Sequence, residues 1–401
     1  MSLLDTASLI VTPNGYKAGT LYSVIPNTTL GDLDVTRATT ATRVNSSGLI
    51  ESVASNVPRL DYTNGSCPSI LVEPQRTNLF NYSEQFDNAY WTKVSSSIIA
   101  NSIVSPDGLT SADKLTATGT SIPCVYKDST LSGSYTISAY VKKGTSNYCW
   151  LYLHSISAIF NIDNGTIVSG SNATINSVGN GWYRVTLTAT LSTTDIDCIG
   201  VSDGTSINGI TGQYIYIWGA QLEAGSYATS YIPTTSASVT RNADVISKTG
   251  ISSLIGQTEG TLFYDGYFGN NNSEVYLFLQ KSGSTIVDDS MYIQKQFGNQ
   301  IRFNSFLSST SEVAITGGSF SIGDRIKIAV GYKNNDFVMY INGVQIGTDT
   351  SATPPTCANL HLATFAGDPT NEVYIANKSV NLTAFWKTRL TNTQMQTLTS
   401  L

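Results

Sequence analysis

From Tyr135 to Lys142 the chain reads Tyr-Thr-Ile-Ser-Ala-Tyr-Val-Lys, apolar at the odd positions and mostly polar at the even ones. A strand turns successive side chains to opposite faces, so this run builds one apolar face and one polar face; a helix would scatter the same residues around its axis. Tyr183, Val185, Leu187, Ala189 and Leu191 repeat the pattern against Arg184 and intervening Thr residues. Asn164-Gly165 stands between Phe160–Asp163 and Thr166–Val168, the dipeptide that best fits a two-residue hairpin turn. Further alternations follow at Val275/Leu277/Leu279, Ile301/Phe303 and Ile326/Ile328/Val330, and Phe337–Ile341 runs into Asn342-Gly343. Many short strands separated by turn signals predict an all-β chain of antiparallel sandwiches.

The same signals divide the chain. Residues 1–78 show little alternation and many Thr, Asn, Gly and Pro turn signals, which predicts an extended segment ordered by its neighbours. A sandwich is expected over 79–240, ending in the Ser/Thr-rich stretch Thr234–Thr240, then a linker over 241–257 and a second sandwich over 258–401. One short helix is expected at the end, with Thr391 capping Asn392–Leu398.

Composition then narrows the function. Charged residues are 12% of the chain, the net charge is −6, and no run of Lys or Arg occurs, so nucleic acid is not an expected partner. No stretch approaches the ~18 apolar residues of a membrane helix, and the first residues lack a signal-peptide pattern, so a soluble chain without membrane insertion or a secretion signal is expected. Five scattered cysteines (Cys67, Cys124, Cys149, Cys198, Cys357) lack metal-ligand spacing and read as buried apolar residues, with one pair open. With His154 and His361 the only imidazoles, and no nucleophile elbow, phosphate loop or zinc-helix motif, no catalytic residue and no metal site is assigned. His154 reads as a structural sheet histidine, and Asp288-Asp289 and Asp163/Asn164 as solvated turns.

Aromatic residues are the remaining candidates. Tyr148, Trp150 and Tyr152 share a strand face with His154; Tyr214, Tyr216 and Trp218 share another; Trp182 shares a third with Arg184. Such rings pack between sheets, form an interface with another protein, or stack on sugars. Packing is the first expectation, and these seven residues are the candidate carbohydrate-binding set. Tyr267, Tyr276 and Tyr340 are the corresponding exposed candidates near the C-terminus.

A resemblance adds to this. The string RATTATRVNSSGLIE (Arg37 to Glu51), then PRLDY (Pro58 to Tyr62), LVEPQRTNL (Leu71 to Leu79), Ser83-Glu84 with Phe86, and Tyr90-Trp91 resemble the leader of bacteriophage virion fibre proteins that precedes a carbohydrate-binding-module-like jelly roll. IWGAQLEAG (Ile217 to Gly225), running to Tyr231-Ile232-Pro233, looks like the closing strand of that module. The end of the chain is similar to concanavalin-A-like, laminin-G-type sandwiches through Asp324–Tyr332, the hairpin at Asn342-Gly343 and the Leu390–Met395 segment. That family often carries acidic residues where this chain has Thr393-Gln394, so calcium is left without support and no cofactor is expected.

The resemblance implies a non-enzymatic tail or head fibre or decoration protein on the virion surface, assembled in the host cytoplasm. It would be a homo-oligomer, a trimer by analogy, joined to other virion proteins through residues 1–78 and able to bind host cell-surface polysaccharide. Two other readings stay open: a secreted carbohydrate-active enzyme or accessory lectin, and a purely architectural virion protein without a ligand.

Overall fold

The computed structural model describes residues 2–269, 274–283, 288–296, 298–364 and 378–401. These form antiparallel sheets throughout, with one α-helix, Asn392–Thr399, so the expected all-β antiparallel architecture is what the chain adopts. The helix begins as its sequence predicts: the Thr391 side chain accepts from Gln394 N, and the Gln394 side chain accepts from Thr391 N.

The chain divides into two compact units, one of 1–40, 53–75 and 242–401, the other of 41–52 and 76–241. Residues 1–78, expected to be an extended segment, instead supply strands to both units, most of them to the first. Leu9–Lys17 pairs with Thr20–Ile25 on one side and with Lys378–Trp386 on the other, and Leu33–Thr36 pairs with Val245–Lys248. The expected linker is likewise structured, since Val239–Arg241 pairs with Arg76–Asn78 and Val245–Lys248 lies inside a sheet. The alternation was too short to read. Leu33–Thr36, Arg59–Asp61 and Ser69–Val72 are three or four residues each, and Leu9, Ile10 and Val11 are buried on both faces, giving an apolar run with no period.

Among the described residues of the first unit, sixteen strands form one continuous sheet around a core that includes Leu9, Val35, Ile70, Leu277, Phe303, Ile328 and Phe385. Asn342 and Gly343 both have positive φ, at 46° and 80°, as a two-residue hairpin turn requires. Four of the charged side chains buried in this unit form one cluster. Arg37 donates to Asp244 at 2.7 Å, Arg59 donates to Glu73 at 2.7 Å and also to Asp244, and Glu73 N donates to Asp244 at 3.0 Å. Burial pulls Arg59 toward losing its proton, but the two carboxylates overcome this and raise it. Arg37, Arg59 and Glu73 all lie in the strings that carried the resemblance, and their role here is internal.

The second unit is a sandwich of two six-stranded sheets. Gly133–Lys143, Trp182–Leu191 and Tyr214–Ala224 are central to one; Tyr148–Leu153, Ile156–Asn161 and Thr194–Val201 belong to the other. Ile137, Ala139, Val141, Val185, Leu187, Ile215 and Ile217 meet Cys149, Leu151, Leu153, Phe160, Ile199 and Val201 between the sheets, the faces set by the alternation. Asn78 acts as an internal clip: its amide donates to the carbonyls of Ala220 and Ile232, and its Oδ1 accepts from Phe80 N and Leu222 N. A hairpin forms around Asn164-Gly165, but through the four residues 162–165 rather than a two-residue turn, with Gly165 at φ 73°.

Candidate functional site

Because the two sheets meet through one core, their other faces point away from each other. The seven candidate aromatics divide between those two outer faces, with Tyr148, Trp150 and Tyr152 on one sheet and Trp182, Tyr214, Tyr216 and Trp218 on the other. They do not make one platform.

Nor do the tryptophans reach solvent. Trp150 is 1% exposed, lies over Gly200 among Cys124, Ile159 and Cys198, and donates its indole N–H to Val201 O at 3.1 Å. Trp182 and Trp218 are 2% and 1% exposed and gather with Tyr140 and Tyr231. Their indole N–H groups donate to Val104 O at 3.2 Å and Ser111 Oγ at 3.0 Å. An indole with its edge satisfied and both faces covered has nothing left to offer a sugar. Tyr148, Tyr152, Tyr214 and Tyr216 are half-buried. In the first unit Tyr267 is half-buried, but Tyr276 and Tyr340, expected to be exposed, are buried at 0% and 5%. Tyr340 packs beside Trp386 and Met395 of the C-terminal segment, which alternation within its own strand could not reveal.

What the second unit leaves open is a cleft of about 420 Å³ lined by Lys142, Lys143, Ile162, Asp163, Gly181 and Tyr183. Three segments build it. The end of Gly133–Lys143 brings the two lysines, the hairpin after Asn161 brings Ile162 and Asp163, and the start of Trp182–Leu191 brings Tyr183. Lys143 Nζ pairs with Asp163 Oδ1 at 2.7 Å, and Lys142 Nζ donates to Asn180 O at 2.6 Å. Gly165 lets the turn close against the Tyr183 ring, since a Cβ there would stand 2.7 Å from Cε1. Ammonium donors, one carboxylate and one phenol ring around a small cleft suit a polyhydroxylated ligand. Asp163 lies in an exposed turn, as its sequence predicts, and there it takes Lys143 as its partner. Lys142, Lys143 and Tyr183 carried no signal beyond membership of their strands.

Lys142 also belongs to the outer face of its sheet. The register sets Lys114 opposite Tyr216 and Tyr216 opposite Lys142, and the Lys114 ammonium sits 3.9 Å from the centre of the Tyr214 ring. Tyr214 and Tyr216 meet edge to face at 5.5 Å.

A second constellation has the residues of a catalytic triad without its geometry. Ser129 Oγ lies 2.8 Å from His154 Nε2, and Asp197 Oδ1 lies 3.5 Å from that same nitrogen. A relay needs serine and carboxylate on opposite ring nitrogens, whereas His154 Nδ1 faces Thr193 Oγ1 at 3.4 Å. Burial pushes the Asp197 carboxyl up to about 7; the Ser129 hydroxyl pulls it down, and Asp195 and Asp128 push it further up. His361, half-buried beside Phe278 in the first unit, is held down to about 4 by burial.

Among the described residues no group of three or more His, Cys, Asp or Glu is placed to hold a metal ion. All five cysteines are free, with Cys67 exposed and the other four buried.

No family model matches the chain, and no curated protein matches it. Among solved structures, the CBM40 module of the Ruminococcus gnavus IT-sialidase bound to α2,3-sialyllactose is 13% identical, with 38% of this chain and 87% of that one covered and a TM-score of 0.31. A NanB sialidase structure from Streptococcus pneumoniae is 14% identical over 38% of this chain and 26% of that one, TM-score 0.31. An SAP-like pentraxin from Limulus polyphemus is 12% identical over 36% and 70%, TM-score 0.29. Likenesses this remote carry no conclusion about this chain.

Proposed function

We propose that the protein is a non-enzymatic fibre or decoration protein of a bacteriophage virion whose second unit binds host-surface glycans. The resemblance of the Arg37–Asn78 strings to virion leaders supports the virion role, and the cleft between Lys142, Lys143, Asp163 and Tyr183 is the observation that carries the binding role. The cleft offers hydrogen-bond donors, an acceptor and a ring, and the one serine–histidine contact in the unit lacks a relay, which favours binding over catalysis. Because residues 1–40 and 53–75 are strands and connections of the first unit, virion attachment would use a folded surface of that unit. A homotrimer remains the assembly proposed from the fibre resemblance.

The test pairs a glycan array with antibody labelling of virions. Binding of the intact chain to a defined set of glycans, lost in Tyr183→Ala with the melting curve preserved, supports the reading. Failure to bind any glycan, with virions labelled all the same, favours the purely architectural alternative, which the burial of Trp150, Trp182 and Trp218 also supports.

A further inference from the structure

We infer that the glycan taken by the second unit is acidic, a polysaccharide bearing carboxylate or sulfate groups that runs from the cleft across the outer face of the adjoining sheet. This rests on the glycan-binding reading above and adds the chemical class.

The basis is the distribution of charge around the half-buried Tyr214 and Tyr216. Lys114, Tyr216 and Lys142 stand side by side on three neighbouring strands. Strands in a sheet are ~4.8 Å apart, so the two lysine backbones flank the ring at roughly 10 Å from each other. Lys143 adds a third ammonium at the cleft, against a single carboxylate, Asp163. The chain as a whole carries a net charge of −6, so three lysines against one aspartate here run counter to the molecule. All three lysine side chains belong to partly or fully exposed residues, where an ammonium meets an anion without first being stripped of water.

Tyr216 gives the strip a direction. It is half-buried, held edge to face against Tyr214, and Lys114 in turn covers the Tyr214 ring. A ring held by its neighbour offers a sugar a stacking surface at little cost in side-chain freedom. A sugar stacked there has a lysine on the strand to either side, Lys114 with its ammonium over Tyr214 and Lys142 with its ammonium at the Asn180 carbonyl, and Lys142 continues the strip into the cleft, where Tyr183 supplies a second ring. A neutral glycan would use the rings alone, whereas an acidic one also draws on lysines that now face Asp163, the Asn180 carbonyl and the Tyr214 ring.

The experiment measures binding of the intact chain to hyaluronate, dextran sulfate, neutral dextran and a single-stranded oligothymidylate, each at low and high salt. The expected result is preference for one or both acidic polysaccharides over neutral dextran, weakened by salt. The hyaluronate and dextran sulfate arms tell carboxylate from sulfate. Lys114→Gln and Lys142→Gln should each weaken that binding by up to about fivefold and flatten its salt dependence, with an unchanged melting curve. Tyr216→Ala should weaken it further, and Tyr216→Phe should restore it. Equal, salt-insensitive binding of neutral dextran would overturn the acidic class and leave the glycan reading standing. Absence of binding to all three polysaccharides would overturn both. Preference for the oligothymidylate would overturn both in favour of nucleic acid.

Discussion

The Trp150 indole lies against Gly200, its cross-strand partner, so closely that a Cβ at 200 would stand 2.3 Å from the indole nitrogen. The bare backbone at Gly200 is what lets the ring lie flat and donate to Val201 O. Gly200→Ala is therefore expected to displace the indole and lower the melting temperature. Trp150→Ala should cost about 3–5 kcal/mol in a denaturant titration, with glycan binding of the remaining folded protein unchanged. Selective loss of binding without loss of stability would return Trp150 to the list of ligand contacts.

Asp197 predicts a pH dependence. Its carboxyl titrates at about 7 in the folded chain and at ~4 when unfolded, so between those values the native state holds a proton that the unfolded state has released. Its contribution is fully present below ~4 and is lost as pH rises through about 7. The melting temperature of the wild-type chain should fall across that window more steeply than that of Asp197→Asn, followed by calorimetry. Parallel curves would show that Asp197 ionises without cost.

Removing one partner from the Arg37–Asp244–Arg59–Glu73 cluster leaves buried charge uncompensated. Asp244→Ala should destabilise the first unit by about 3–5 kcal/mol, read from a chemical melt, because both arginines lose an acceptor at once. A loss below about 1 kcal/mol would mean that water replaces the carboxylate.

Deleting residues 1–25 removes both strands beside Lys378–Trp386 and Leu33–Thr36 and leaves two sheet edges open. The truncated chain should aggregate or lose protease resistance in the first unit. A soluble, protease-resistant product would show that these strands are dispensable.

The sandwich class was legible because 135–142 and 183–191 are long enough for several alternations and each has one buried face. The N-terminal strands were not legible, because a segment like Arg59–Asp61 holds too few residues for a period and Leu9–Val11 is apolar on both sides. For the aromatics, periodicity gave the face but not what covers it. Trp218 is roofed by Tyr231, from chain beyond its own strand, and Trp182 is tied to Val104, from chain far before it. The cleft was hidden for a related reason: Lys142, Asp163 and Tyr183 meet only through tertiary folding, and the turn at Asn164-Gly165 was its one local sign.

The pairing of Leu9 with Phe385 sets a timetable for biosynthesis. A ribosome adding about 5–20 residues per second needs on the order of 20–75 s to travel from one to the other. Every residue of the second unit has been made by Arg241, so that unit can finish while the first still waits for its closing strand. Nascent chains carry Leu9–Val11 paired on one edge with Thr20–Ile25 and open on the other for most of translation, a period in which chaperones have something to hold. A ribosome that stalls before Lys378 releases a chain holding every residue of the second unit and an unlatched first one.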